Sequence, residues 1–127
     1  MTNNTYKTPD FFMSLEKGSD IARCDWSKGA VINLDLARET QEAVKRLSGG
    51  KRVGLLVDLS NVKSITYDAR NFYSTAEGVE AVSLLAKSLV AKIIGNFFIG
   101  IKKDTVTPTR LFVSEEEAVA WLKEKLK

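Results

Sequence analysis

Hydrophobic and polar positions first alternate along this chain and later recur at helical spacing. Phe11 to Glu16 and Ile21 to Trp26 alternate as two strands around the turn residues Gly18-Ser19-Asp20, predicting an antiparallel hairpin. Ala30 to Ile32 extends the pairing briefly. Asn33 is an N-cap residue, and Leu36, Thr40, Ala43, Val44 and Leu47 then mark one buried helical stripe that Gly49-Gly50 ends. Val53 to Val57 is a nearly continuous apolar run, as expected of a central strand covered on both faces. Thr66 caps a helix from Tyr67 to about Ala76, with Ala69, Phe72, Tyr73 and Ala76 on its apolar side. Ala81 to Ala86 is a further strand, and Ser88 caps a strongly apolar helix through Ile101. Arg110 to Val113 is the last strand. Ser114 with Glu117 forms a capping box before a helix whose Ala118, Trp121, Leu122 and Leu126 face inward.

From residue 52 onward, strands and helices alternate. Crossovers of that length imply parallel neighbours, so the expected architecture is α/β, a single domain on residues 11–127 behind a polar arm at 1–10. The sheet is expected to be mixed, mostly parallel and five-stranded, with about four helices. A chain of 127 residues fits one domain, and 44% hydrophobic residues suffice for a core. No histidine occurs, which removes Ser-His and Cys-His nucleophile pairs and the usual zinc sites. The one cysteine, Cys24, reads as an inert inward-facing thiol. A formal charge of +3, with its basic surplus dispersed over residues 51–113, gives no stripe for nucleic acid. No metal or cofactor motif is present; Gly49-Gly50-Lys51 follows a helix rather than a strand, the wrong context for a phosphate loop. The polar start lacks the apolar run of a signal peptide, and the expected compartment is the cytoplasm.

The element order β-β-α-β-α-β-α-β-α, with an apolar strand ending in Val57-Asp58-Leu59-Ser60-Asn61-Val62, resembles the STAS (SpoIIAA-like) family of bacterial anti-sigma-factor antagonists. Asp68-Ala69-Arg70, Gly95-Asn96-Phe97-Phe98 and Arg110-Leu111-Phe112 with Trp121-Leu122 look like small SpoIIAA-like bacterial proteins, distantly similar to CRAL-TRIO lipid-transfer domains. The resemblance implies a non-enzymatic regulatory or protein-interaction module. Sporulation antagonists carry a phosphorylatable serine at a helix start; here the matching stretch reads Ser64-Ile65-Thr66-Tyr67-Asp68-Ala69, without the serine pair and glycine. Thr66 can carry a phosphate at a helix N-terminus, but its simpler role is the cap.

The expected surface runs from Ser60 through Thr66, Tyr67, Asp68 and Arg70 to Leu89, Asn96, Phe97 and Phe98 on the apolar helix. On that helix Val90, Ile93, Ile94, Phe97 and Ile101 make a sufficient core face, leaving Leu89, Phe98 and Ile99 over for something outside it. The candidates are an unidentified protein partner, a second copy of the chain, or an apolar ligand or lipid surface met with Lys87, Lys92, Lys102 and Lys103. Asn96, if buried, must be hydrogen-bonded or face a ligand cavity. A third reading is an enzyme resting on Asp58, Asp68, Arg70 or Tyr67. Its simpler alternative has Asp58 holding loop amides, Asp68 supporting the helix dipole and Arg70 paired with a carboxylate.

Overall fold

A computed structural model provides the structure and describes residues 3–75, 78–99 and 107–127. The elements follow in the order β1 (Asn3–Lys7), β2 (Phe11–Glu16), β3 (Ile21–Trp26), β4 (Ala30–Ile32), α1 (Leu34–Ser48), β5 (Gly54–Asp58), β6 (Val62–Ile65), α2 (Tyr67–Thr75), β7 (Ala81–Leu85), α3 (Leu89–Ile99), β8 (Thr109–Phe112) and α4 (Glu115–Lys125). The main sheet has the order β1-β2-β3-β5-β7-β8, and β4 pairs with β6 in a separate small parallel sheet. β2 runs antiparallel to both β1 and β3, whereas β3, β5, β7 and β8 run parallel. The mixed α/β layout is therefore as expected, with six strands in the main sheet instead of five.

The additional strand comes from the segment expected to be a polar arm. Asn3 to Lys7 shows no apolar alternation, and one side chain anchors it: Tyr6 stacks on Phe11 at 5.9 Å, donates to Glu39 Oε2 at 3.3 Å and lies under the Arg46 guanidinium. β6 also escapes the pattern, because four residues are too few to show a period. Its neighbour relation is set by β4 and by the Thr66 N–H donating to the Ile32 carbonyl.

Helix ends form where their capping residues stand. Asn33 Oδ1 accepts from the Leu36 N–H at 2.9 Å, and Thr66, Ser88 and Ser114 hydroxyls accept from Ala69, Ala91 and Glu117 amides. α1 then buries Ala37, Thr40, Ala43, Val44 and Leu47 against the sheet.

Helices lie on both faces. Met13, Cys24, Trp26 and Leu84 belong to the core shared with α1, α2 and α3, while Leu56, Leu85 and Phe112 pack under Ala118 and Leu122 of α4. α4 sits close on β5 because Gly54 has no side chain: a Cβ there would lie 3.1 Å from Leu122 Cδ2. The buried Ser83 hydroxyl donates to the Ala118 carbonyl at 3.0 Å, so the polar group is satisfied.

The other face is less completely filled. A cavity of about 100 Å³ lies between the sheet and α1, α2 and α3. Leu55, Val57 and Val82, near the sheet's centre, border it and are only partly buried, whereas Leu56, Ser83 and Leu85 on the opposite face are fully covered.

Cys24 and Tyr73 set the alkaline limit of the fold. Burial pushes the Cys24 thiol well above its ordinary 9.0 and the Tyr73 phenol well above its ordinary 10.0. The folded chain thus holds these protons more tightly than the unfolded chain. Their contribution is complete below about pH 9 and declines as pH rises, because the unfolded chain then ionises first. Denaturant melts between pH 7 and 11 should show a constant midpoint to about pH 9 and a fall beyond it. The Cys24 thiol should resist alkylation in the native chain at pH 8 and react once denaturant unfolds it.

Candidate functional site

The apolar helix α3 docks through its small residues. Ala91 and Ile94 are buried and Ile99 packs partly against the core, while Leu89 is 74% exposed, Val90 56%, Ile93 60% and Phe97 42%. This corrects the expected core face. Of its five residues only Ile94 faces inward; Val90, Ile93 and Phe97 face out, and Ile101 lies outside the described residues. Leu89 is exposed as expected, Ile99 is half-buried, and the Phe98 side chain, Lys102 and Lys103 are outside the described residues.

The reason is Gly95. A Cβ at this position would collide with Leu111 Cδ1 of β8 and lie 3.5 Å from Leu59 Cδ1. Without that Cβ, the helix approaches the sheet edge more closely than a bulky face would allow. Dispersion contacts fall steeply with separation, so close approach over Ala91 and Gly95 outweighs burial of the larger side chains one position away. Leu89, Ile93 and Phe97 follow one another at four-residue spacing and form the outer stripe with Val90 beside it.

α2 lies against one end of this stripe. Arg70 places its guanidinium 4.0 Å from the Phe97 ring centroid and 5.4 Å from that of Tyr67, which is 63% exposed. The carboxylate expected for Arg70 is absent among the described residues; aromatic faces take its place. Its Nε is buried without a hydrogen-bond partner, a desolvation cost that the two cation–π contacts offset at about 0.5–2 kcal/mol each. Thr66 acts as the N-cap of α2, and Asp68 is exposed in the first turn, where the helix dipole favours a negative charge.

Asp58 and Ser60 belong to a different constellation. Asp58 Oδ1 accepts from the Ser60 amide at 2.9 Å and from its hydroxyl at 2.6 Å. Its other oxygen faces Arg23 at 3.5 Å, and Arg23 also pairs with Asp25 at 3.1 Å and Glu115 at 2.9 Å. Burial alone would lower the Arg23 pKa, but the hydrogen bonds it donates to Asp25 and Glu115 hold it above its ordinary value. This hub ties the start of α4 to β3 and β5. Asp58 is thus engaged by Arg23 and Ser60, on the α4 face of the sheet, while Arg70 is engaged by α3. Sequence reasoning missed Arg23. Its shared face with Asp25 is readable from strand alternation, but the pairing of Asp25 with Asp58 depends on β3 lying next to β5.

Asn96 is exposed, so its amide is free to meet water and needs no buried partner. Among the described residues no group of three His, Cys, Asp or Glu side chains is suited to hold a metal, and no helix is long and apolar enough to cross a membrane.

Three parallel crossovers, through α1, α2 and α3, following an N-terminal antiparallel ribbon define an α/β protein with a SpoIIAA-like fold. A structure from Shewanella loihica PV-4, described as an uncharacterised DUF3478-family protein with that fold, aligns over 95% of this chain and 92% of its own at 10% identity, with a TM-score of 0.56. Residues 13–126 match the family described as Domain of unknown function (DUF7793), and the chain belongs to it. A protein of unknown function from Arthrobacter sp. FB24 is 32% identical over 84% of this chain and 94% of its own, with a TM-score of 0.32. Comparison with curated proteins gives no match.

The orientation of α3 is directly measurable. Ile94→Ala should lower the unfolding free energy by about 2–4 kcal/mol, whereas Ile93→Ala, one residue away, should stay within about 0.5 kcal/mol of the parent in urea melts.

Proposed function

We propose that the chain is a non-enzymatic binding module whose docking face is the α2–α3 ridge, and that its partner is a protein. The observation that carries this reading is the exposed stripe Leu89, Val90, Ile93 and Phe97, continuous with Arg70 and Tyr67. Large apolar side chains facing water in a contiguous row are what a protein interface covers. Tyr and Arg are also the residue types in which binding energy concentrates at such interfaces. The stacked Arg70 is preorganised: its guanidinium plane rests on the Phe97 ring, so a partner carboxylate would find it already held in place. The partner surface that fits is an apolar patch with an acidic residue beside it. Membership of a SpoIIAA-like fold supports this reading as an expectation of the fold's relatives.

The test begins with a photo-crosslinking side chain at position 93, with one at Glu116 as control, in cells that make the protein. The crosslinked partner is then purified and titrated. Ile93→Asp and Arg70→Gln should each weaken the reconstituted complex at least tenfold while leaving the circular dichroism spectrum unchanged. Equal binding by both variants, or adsorption of the chain to anionic vesicles with no protein crosslinked at position 93, would overturn the proposal.

A further inference from the structure

We infer that the cavity beneath α1, α2 and α3 is a binding site for a small neutral apolar molecule, about the size of a benzene ring or a short alkyl chain. The site is separate from the α2–α3 ridge and does not depend on it. Its volume is about 100 Å³, and Met13, Trp26, Leu55, Val57, Val82 and Ile94 supply apolar walls from the sheet and α3. Along these apolar walls a water would lack its two to four polar partners, which favours an apolar occupant there.

The polar groups at the α1–α2 wall point the same way. The Thr40 hydroxyl donates to the Ala37 carbonyl at 2.7 Å and lies 2.7 Å from the Tyr73 hydroxyl. Thr40 has one proton and has used it, so the Tyr73 hydroxyl donates to Thr40. The Thr40 and Tyr73 hydroxyl protons are therefore both used within the protein. Among the described lining residues the only charged one is Lys45, exposed on α1, so the apolar walls themselves offer a charged ligand no counter-charge. Charge is excluded and shape selects.

The position of the void is also informative. Central strands of a parallel sheet ordinarily carry its best-covered side chains. Here Leu55, Val57 and Val82 are the incompletely covered ones, while the α4 face of the same strands is closed over Leu56, Ser83 and Leu85. Of the β5 and β7 side chains bordering the cavity, Leu84 is buried and Leu55, Val57 and Val82 are incompletely covered, as they would be if a ligand completed that side of the core.

The test uses benzene as the probe on the purified chain. Methyl NMR should show saturable shifts at Leu55, Val57, Val82 and Ile94, and the thermal midpoint should rise by about 3 °C or more at saturation. Val57→Phe, which fills the space, should abolish both effects; Val82→Leu, a milder filling, should weaken binding at least fivefold should the first variant fail to fold. Absence of cavity shifts in the parent chain, shifts confined to exposed Leu89 and Ile93, or undiminished binding by the filled variants would each overturn the inference.

Discussion

The contact between Gly95 and Leu111 governs how this molecule presents itself. A helix as apolar as α3 could bury its widest greasy face, and simple hydrophobic partitioning favours that outcome. Yet partitioning rewards area, whereas packing rewards proximity, and the helix can come close only where its own side chains are smallest. With Ala91 and Gly95 turned to the sheet, the helix settles against Leu59 and Leu111, and the row from Leu89 to Phe97 is left outside. The surface character of the protein follows from this rotation of one residue.

That same rotation brings Phe97 over Arg70. An arginine without a carboxylate among the described residues would ordinarily extend into water; here its guanidinium is pressed against two rings and its Nε is dehydrated. The elements on the opposite face of the sheet use their arginine differently. Arg23 is surrounded by Asp25, Asp58 and Glu115 and serves to hold α4 down. One cation is consumed by internal structure and the other is displayed on aromatic support. The two settings separate the part of the molecule that closes the fold from the part open to a partner.

Much of the architecture was readable from local chemistry. Asn33, Thr66, Ser88 and Ser114 act as helix caps because their side-chain oxygens reach amides two or three residues on, an interaction contained within a few residues. The alternation in Phe11–Glu16 and Ile21–Trp26 and the unbroken run in β5 were equally legible, since burial on one face or on both leaves its own period. β1 was not, because Tyr6 is its only strong anchor and its partners Phe11, Glu39 and Arg46 are distant in sequence. Of the candidate site, Tyr67, Arg70, Leu89 and Phe97 do lie on one ridge, while Ser60 joins the Arg23 hub through Asp58.

The residues alone determined the four helix starts, the mixed and mostly parallel sheet, the inward-facing thiol and the excess of apolar surface on α3. Those properties depend on neighbours within a few positions, where side-chain size, branching and hydrogen-bonding capacity act directly. Tertiary structure decided which side of α3 faces water, which carboxylates Arg23 gathers, and where the core leaves a space. Each of these is settled by atoms far apart in the chain competing for the same volume, and no periodicity records the winner of such a competition.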